Sequence, residues 1–362
     1  MKETLRNIQY KNILFPVLAV LLALFISAII VSILGYSWLS AYQNLLQGAV
    51  GNLRNIGETV VRATPLILTG LSFAIGRRCG LINLGAEGQV YMGGMFATIV
   101  GMFLPGLPAF IHLPLAILAG MLGGGLLGLL IGWLKTRFGA SELITGIMFN
   151  YIAILLVGWS VSLQYNGPLS EKGGINPASP IMPDSVVLPR ILEGTRISAG
   201  IYIAILALIF FYVFLWKTPK GYEIRAAGLN PDAARYSGIN VNRNTLLAMF
   251  MAGGFAGLAG SVETLGVHLR LLPDFSANFG FDGIAVSLLG NNTPVGIFLS
   301  AVLFGMLRSG AQQMQMAAQV PVAVVQIIQA LVILFVVGRE LYTHVGKFFG
   351  KLGTLLKKGG AG

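Results

Sequence analysis

The sequence predicts an all-α, polytopic membrane protein, and three observations carry that prediction. The 362 residues are 55% hydrophobic and only 10% charged, with a mean hydropathy of +0.79, whereas soluble domains carry about 25% charged residues. Ten apolar runs approach the ~20 residues that a helix needs to cross a bilayer: 13–34, 60–75, 81–103, 113–134, 143–164, 197–216, 245–267, 275–289, 294–311 and 322–338. The basic residues then sort by side. With the N-terminus inside, seventeen face the cytoplasm, from Lys2, Arg77, Arg78, Lys135 and Lys217 to Lys358. Seven face out: Arg54, Arg62, Lys172, Arg190, Arg196, Arg270 and Arg308. That asymmetry is what the positive-inside rule expects of about ten transmembrane helices with both termini cytoplasmic.

Taken in order, residues 1–12 form a cytoplasmic N-terminal segment. The first apolar run is long enough to span and lacks an A-x-A site, so it reads as a retained helix. The second and eighth runs are short and are expected to be partly broken or tilted. At the cytoplasmic start of the third, the segment GLINLGAEGQ places Asn83, Glu87 and Gln89 among glycines. Charged groups at membrane depth cost about 2.5–3.5 kcal/mol on insertion scales, and glycines permit a re-entrant backbone. Two readings stand open: a pore-lining or gating element, and a polar cluster that packs helices.

Gly120, Gly124, Gly128 and Gly132 make one stripe along the fourth helix, and Gly253, Gly257 and Ser261 repeat the spacing on the seventh. Small residues at this interval let backbones approach, so these are packing seams. Glu142, after Ser141, is explained by capping and the helix dipole. Loop 165–196 carries five prolines and reads as either a connector or an outer docking surface. A hydrogen-bonding solute has Asn150, Asp282 and Gln326 as a set of candidate contacts, each of which alone reads rather as an interhelical hydrogen bond, with Glu263, Asn291 and Asn292 also polar within or beside spans. Helices 2–5 and 7–10 form two blocks of opposite orientation, an arrangement that suits an inverted repeat.

Stretch 217–243 is the polar interruption. It contains a short helix with its own signals: Asn230 as cap, Pro231 in the first turn, Asp232 at the positive end, then Ala233, Ala234, Arg235, Tyr236 and Ser237, with Gly238 as the stop. A chain this apolar that spends so much polar sequence on one capped helix presents it to a partner. The segment 339–362 is a basic cytoplasmic tail suited to anionic lipid.

Catalysis finds no support. The single cysteine, Cys79, excludes an internal disulfide framework and cysteine-cluster metal sites, and reads as a small packing residue. His112, His268 and His344 are scattered, and no H-E-x-x-H, G-x-S-x-G or phosphate-cradling G-x-x-x-x-G-K-[ST] occurs. The basic residues form no single patch for nucleic acid.

GLINLGAEGQVYMGG and GYEIRAAGLNPDAARYSGINV resemble the permease subunits of ATP-binding cassette (ABC) importers in the ribose and branched-chain amino acid group. RATPLILTGLSFAIG, SELITGIMFNYIA and GFDGIAVSLLGNNTPVG are similar to its nucleoside-type branch. The resemblance spans about residues 55–340, with 13–338 as the transmembrane permease domain. It implies a multi-pass protein of a bacterial cytoplasmic membrane that carries no cofactor, with ATP and Mg on a separate ATPase subunit. It also implies a second, different permease chain as partner, an external solute-binding lipoprotein and a nucleoside as solute. Under it, Asn230 to Ser237 match the coupling helix, with Arg225, Arg235 and Tyr236 as contacts to the ATPase. A sugar or branched-chain amino acid importer, and an ion-coupled secondary transporter, are the alternatives.

Overall fold

The computed structural model describes residues 21–104 and 106–337, and among these the regular elements are all helices, without strands. The helices are α1 (Leu21–Ile33), α2 (Trp38–Val50), α3 (Leu53–Arg78), α4 (Ala86–Phe103), α5 (Ala109–Phe138), α6 (Glu142–Ser160) and α7 (Gly200–Lys217). They continue as α8 (Pro219–Leu229), α9 (Pro231–Tyr236), α10 (Val241–Val262), α11 (Phe279–Leu289), α12 (Pro294–Ala318) and α13 (Val322–Val337). A bilayer leaves no water to satisfy free peptide groups, which is why the apolar runs close their hydrogen bonds within helices. Among the described residues six helices are long and apolar enough to cross a membrane: α3, α5, α6, α7, α10 with its extension to His268, and α12. Residues 1–12, the start of the first run and the basic tail 339–362 lie outside the described residues.

The chain divides into two compact units, residues 46–309 and residues 1–45 with 310–362, and the boundary falls within α2 and α12. In the smaller unit the Tyr42 hydroxyl donates to the Leu24 carbonyl at 2.6 Å, joining α2 to α1. Helix α2 answers to none of the ten runs; it is short and amphipathic, so a search for spans passes over it.

In the larger unit α3 and α10 are the enclosed centre. Helix α10 is flanked by α5, α4 and α3, and α3 in turn meets α11 and α7. Helices α6 and α7 are peripheral and expose Ile144, Met148, Ile152 and Leu155, and Leu206, Ile209 and Phe210. The glycine stripes are the seam between α5 and α10. A Cβ at Gly124 would collide with the Gly253 carbonyl, one at Gly257 with the Gly120 carbonyl, and one at Gly93 of α4 with the Gly257 backbone.

Three expected boundaries are corrected. The run 60–75 is not short or broken, because α3 extends for 26 residues, through Pro65, from a start where the Asn52 side chain accepts from the Asn55 amide. Run 81–103 is helical only from Ala86: α3 ends with Gly80 in the left-handed region (φ 78) and the Leu81 amide donating back to the Gly76 carbonyl, the glycine-terminated helix end. Run 275–289 is helical only from Phe279, after α10 winds into a π-helical turn at Glu263–His268 and ends at Leu269 (φ 56). Eleven residues of α11 reach about 16 Å, half a bilayer core.

Candidate functional site

Helix α9 follows the capping signals in the sequence. The Asn230 side chain accepts from the amides of Asp232 (3.1 Å) and Ala233 (3.0 Å), Pro231 opens the first turn, and Gly238 (φ 79) ends it. Its outer face carries the Arg235–Asp232 pair at 3.0 Å, and Tyr236 is 96% exposed. Leu229, where α8 ends, is 88% exposed. Two large side chains are thus held out on a charged tip.

The base of this tip is fixed to the core helices. Thr218 caps α8 by accepting from the Gly221 amide at 3.1 Å, and Gly221 lies flat on the backbone of Phe214 and Leu215. Gly228 lies so close to Arg78, Cys79 and Gly80 that a Cβ would strike the Arg78 carbonyl. Asn244 of α10 donates to Glu223 at 3.1 Å; Lys220 and Asn244 hold the Glu223 carboxyl below the usual carboxylate range. Helix α8 is thus in contact with the end of α3 and the start of α10. Arg225 takes no part in the exposed face: it is half-buried, with its guanidinium over the Trp216 ring.

The polar segment before α4 is buried and largely self-satisfied. The amides of Asn83 and Gln89 pair reciprocally (2.8 and 3.2 Å), Asn83 also donates to Ser72 on α3 at 3.1 Å, and the Gly85 amide donates to Asn83 at 3.1 Å. Asn150 reaches over from α6: its oxygen accepts from the Gly88 amide at 2.7 Å while its nitrogen donates to the Leu84 carbonyl at 2.8 Å. It thereby supplies the cap that the first turn of α4 lacks on its own strand of sequence. Glu87 points the other way and accepts from the Gly280 amide at 2.7 Å, so the starts of α4 and α11 meet at one carboxylate.

Asp282 belongs to the same junction. Arg308 of α12 pairs with it at 2.7 Å, donates to the Ala277 carbonyl at 2.6 Å and lies 4.8 Å over the Phe279 ring. One guanidinium thus holds the whole start of α11. Arg62 lies near enough to Glu58, Arg196, Glu263 and Arg308 to feel their charges; Arg196 meets Glu58 at 3.6 Å, and buried Glu263 lies 3.5 Å from His268 in the π-helical turn. The structure thus joins Asn83, Glu87, Gln89, Asn150 and Asp282, while Gln326 lies on α13 in the other unit. Arg62 and Arg308 were missed because they counted as outer topology charges. An arginine within an apolar run is itself the signal of a buried partner.

Arg308→Ala is expected to lower stability by about 3–5 kcal/mol, the usual result of leaving one half of a buried ion pair. Thermal unfolding of the purified chain in detergent measures it, and an unchanged midpoint would remove the clamp.

Loop 165–196 is built into the larger unit. The Ser179 and Met182 amides donate to the carbonyls of Leu271 and Leu269 (2.9 and 2.8 Å), and the Leu188 amide to Leu265 at 3.0 Å. Buried His112 holds Ser185 at 2.8 Å through Nδ1 and the Val100 carbonyl at 3.1 Å through Nε2. Ile175, at its tip, is exposed. Cys79 is buried, and burial pushes its thiol up to about 11, which fits a packing role.

Residues 55–337 match the family described as branched-chain amino acid transport system / permease component. The chain is 39% identical over 352 residues to the guanosine ABC transporter permease protein NupP of Bacillus subtilis, covering 97% of this chain and 99% of that one. It is 33% identical over 335 residues to the nucleoside ABC transporter permease protein NupB of Lactococcus lactis, covering 91% and 92%. Against the glucose ABC transporter permease protein TsgB13 of Haloferax volcanii the identity is 32% over 350 residues, covering 93% and 91%.

Proposed function

This chain belongs to the branched-chain amino acid transport system / permease component family, and from that premise we propose that it is the membrane-spanning permease subunit of an ABC importer for nucleosides. It lies in the cytoplasmic membrane of a bacterium and performs no chemistry. A separate cytoplasmic ATPase subunit binds ATP and Mg, a second permease chain completes the path, and a solute-binding lipoprotein delivers the nucleoside to the 165–196 loop. The ten crossings, with residues 1–12 and 339–362 in the cytoplasm, are part of this reading. So is the inverted arrangement of α3–α6 and α10–α13.

The observation that carries it is the α8–α9 tip. It exposes Tyr236 and Leu229 to a partner while Gly228 and Glu223 tie its base to α3 and α10. Closure of the ATPase pulls on α9, and the two enclosed helices move with it. The junction of α4 and α11 is where that motion opens the path. There Asn83, Gln89 and Asn150 hold the unwound backbone, because their amide groups are spent on one another and on main chain. Glu87 and Asp282 stand on the moving ends. Such gating is two rigid arrangements of packed helices exchanged by a ligand-driven partner.

A sugar is the second reading, and the similarity to a glucose permease favours it. Uptake into sealed vesicles that hold the assembled importer decides both points. Labelled guanosine is expected to enter only with ATP, the ATPase subunit and the receptor present. Entry of glucose in its place would select the second reading. Uptake that survives without the ATPase and collapses with an uncoupler would overturn both.

A further inference from the structure

Two arginines share one indole where the transmembrane helix α7 ends. The Arg78 guanidinium, from the last residue of α3, lies 5.3 Å from the Trp216 ring centroid, and that of Arg225, from α8, lies 6.0 Å from it. Arg78 donates to the Asn292 carbonyl at 3.0 Å. The Nε atoms of both arginines are buried without a hydrogen-bond partner, and among the described residues no carboxylate lies within ion-pair distance of either. The nearest acid in sequence, Glu223, is already engaged by Lys220 and Asn244. Two like charges brought together with no anion between them make an incomplete arrangement.

What lies around the pair shows which anion completes it. Tyr212 stacks on Trp216 at 5.7 Å, and Tyr212, Val213 and Tyr222 are exposed. Below them the open face of α7 continues as Ile209, Phe210 and Leu206, all exposed and apolar. Trp and Tyr gather where a helix leaves the hydrocarbon, and basic pockets between helices at that level take anionic headgroups. We propose that Arg78 and Arg225 bind the phosphate of an anionic phospholipid, whose acyl chains lie along the exposed face of α7. The lipid fastens the base of α8 to the membrane edge, beside the tip that α9 presents. This site does not depend on which solute the importer carries.

The test is retention of phosphatidylglycerol, against phosphatidylcholine, by the full chain in detergent, read by native mass spectrometry. The wild-type chain is expected to retain phosphatidylglycerol preferentially, and Arg225→Gln to cut that preference about fivefold, the worth of one basic residue near the headgroups. Arg225→Lys is expected to restore part of it. Arg225 makes no hydrogen bond to main chain, so its loss tests the site even where Arg78→Gln fails to fold. Equal retention of the two lipids would overturn the proposal. Displacement of the lipid by millimolar inorganic phosphate would make this a free-anion site and overturn it too. So would an Arg225→Gln chain that keeps its lipid preference but sheds the ATPase subunit, since the anion would then be a protein carboxylate.

Discussion

Arg235→Glu is expected to reach the membrane in normal amount and to transport nothing. Arg235 pairs with Asp232 on the open face of α9, and both side chains are mostly exposed. Within the chain, the substitution replaces one i,i+3 attraction by a repulsion, an effect of a few tenths of a kcal/mol. The helix itself survives, because its cap is Asn230 and its inward contact is Ala234. Against a partner surface that complements Arg235 with a carboxylate the change is far larger, because a like charge set in a contact surface costs several kcal/mol. Tyr236→Ala sharpens the point, since the ring is almost wholly exposed and supports nothing in this chain. Its removal is expected to lower uptake at least tenfold, as loss of an aromatic anchor does, with no change in thermal stability. Normal uptake in both variants would remove α9 from the coupling surface.

Gly257→Leu is expected to have the opposite profile, with little folded protein of any kind. At Gly257 the backbones of α4, α5 and α10 converge: its Cβ would meet the Gly120 carbonyl, and it occupies the space that any Cβ at Gly93 or Gly124 would need. None of those atoms is the movable end of a side chain, so a leucine forces helices apart along a seam that holds the enclosed centre together. The loss is expected to exceed about 4 kcal/mol, the range in which substitutions are diagnostic. Gly158→Leu is the control. It lies on α6 with open space around it and is expected to change stability within about 0.5 kcal/mol. Monodisperse yield on size-exclusion chromatography separates the two, and equal yields would contradict the seam.

The helical class, the α9 caps and the α5–α10 seam were legible because each is written locally. Asn-Pro-Asp with a following glycine states a capped helix, and glycines four apart state a close face. The interruptions before α4 and α11 were legible only in part, the first as the re-entrant backbone that its glycines permit and the second as the shortness of its run. They lie inside apolar runs, and what holds them comes from far away: Asn150 is 62 residues from Gly88, and Gly280 is 193 from Glu87. Asn150 illustrates the difference. Its polarity within a span offers it as one of a solute-contacting set or as an interhelical hydrogen bond, and in the structure its amide caps α4 across the helix interface. Asp282 reads as one of a polar set, and what the sequence does not show is its pairing with Arg308, which the charge count places outside. Arg225 was grouped with Arg235 by charge, and the structure turns it to Trp216 because α8 and α9 present different faces.

The central claim is that energy enters this chain from an ATPase subunit at α9, and one cross-link tests it most directly. The chain has a single cysteine, Cys79, which is buried and whose thiol burial keeps protonated at neutral pH, so a Tyr236→Cys variant carries one reactive thiol at the tip of α9. With a maleimide–benzophenone reagent, whose maleimide takes the thiol and whose photoactivated ketone inserts into a C–H bond of whatever lies against it, the assembled importer is expected to yield a covalent adduct of this chain with the ATPase subunit, and the adduct is expected to stop uptake. ATP-driven uptake by an importer whose position 236 labels freely with maleimide yet never joins the ATPase would contradict the claim.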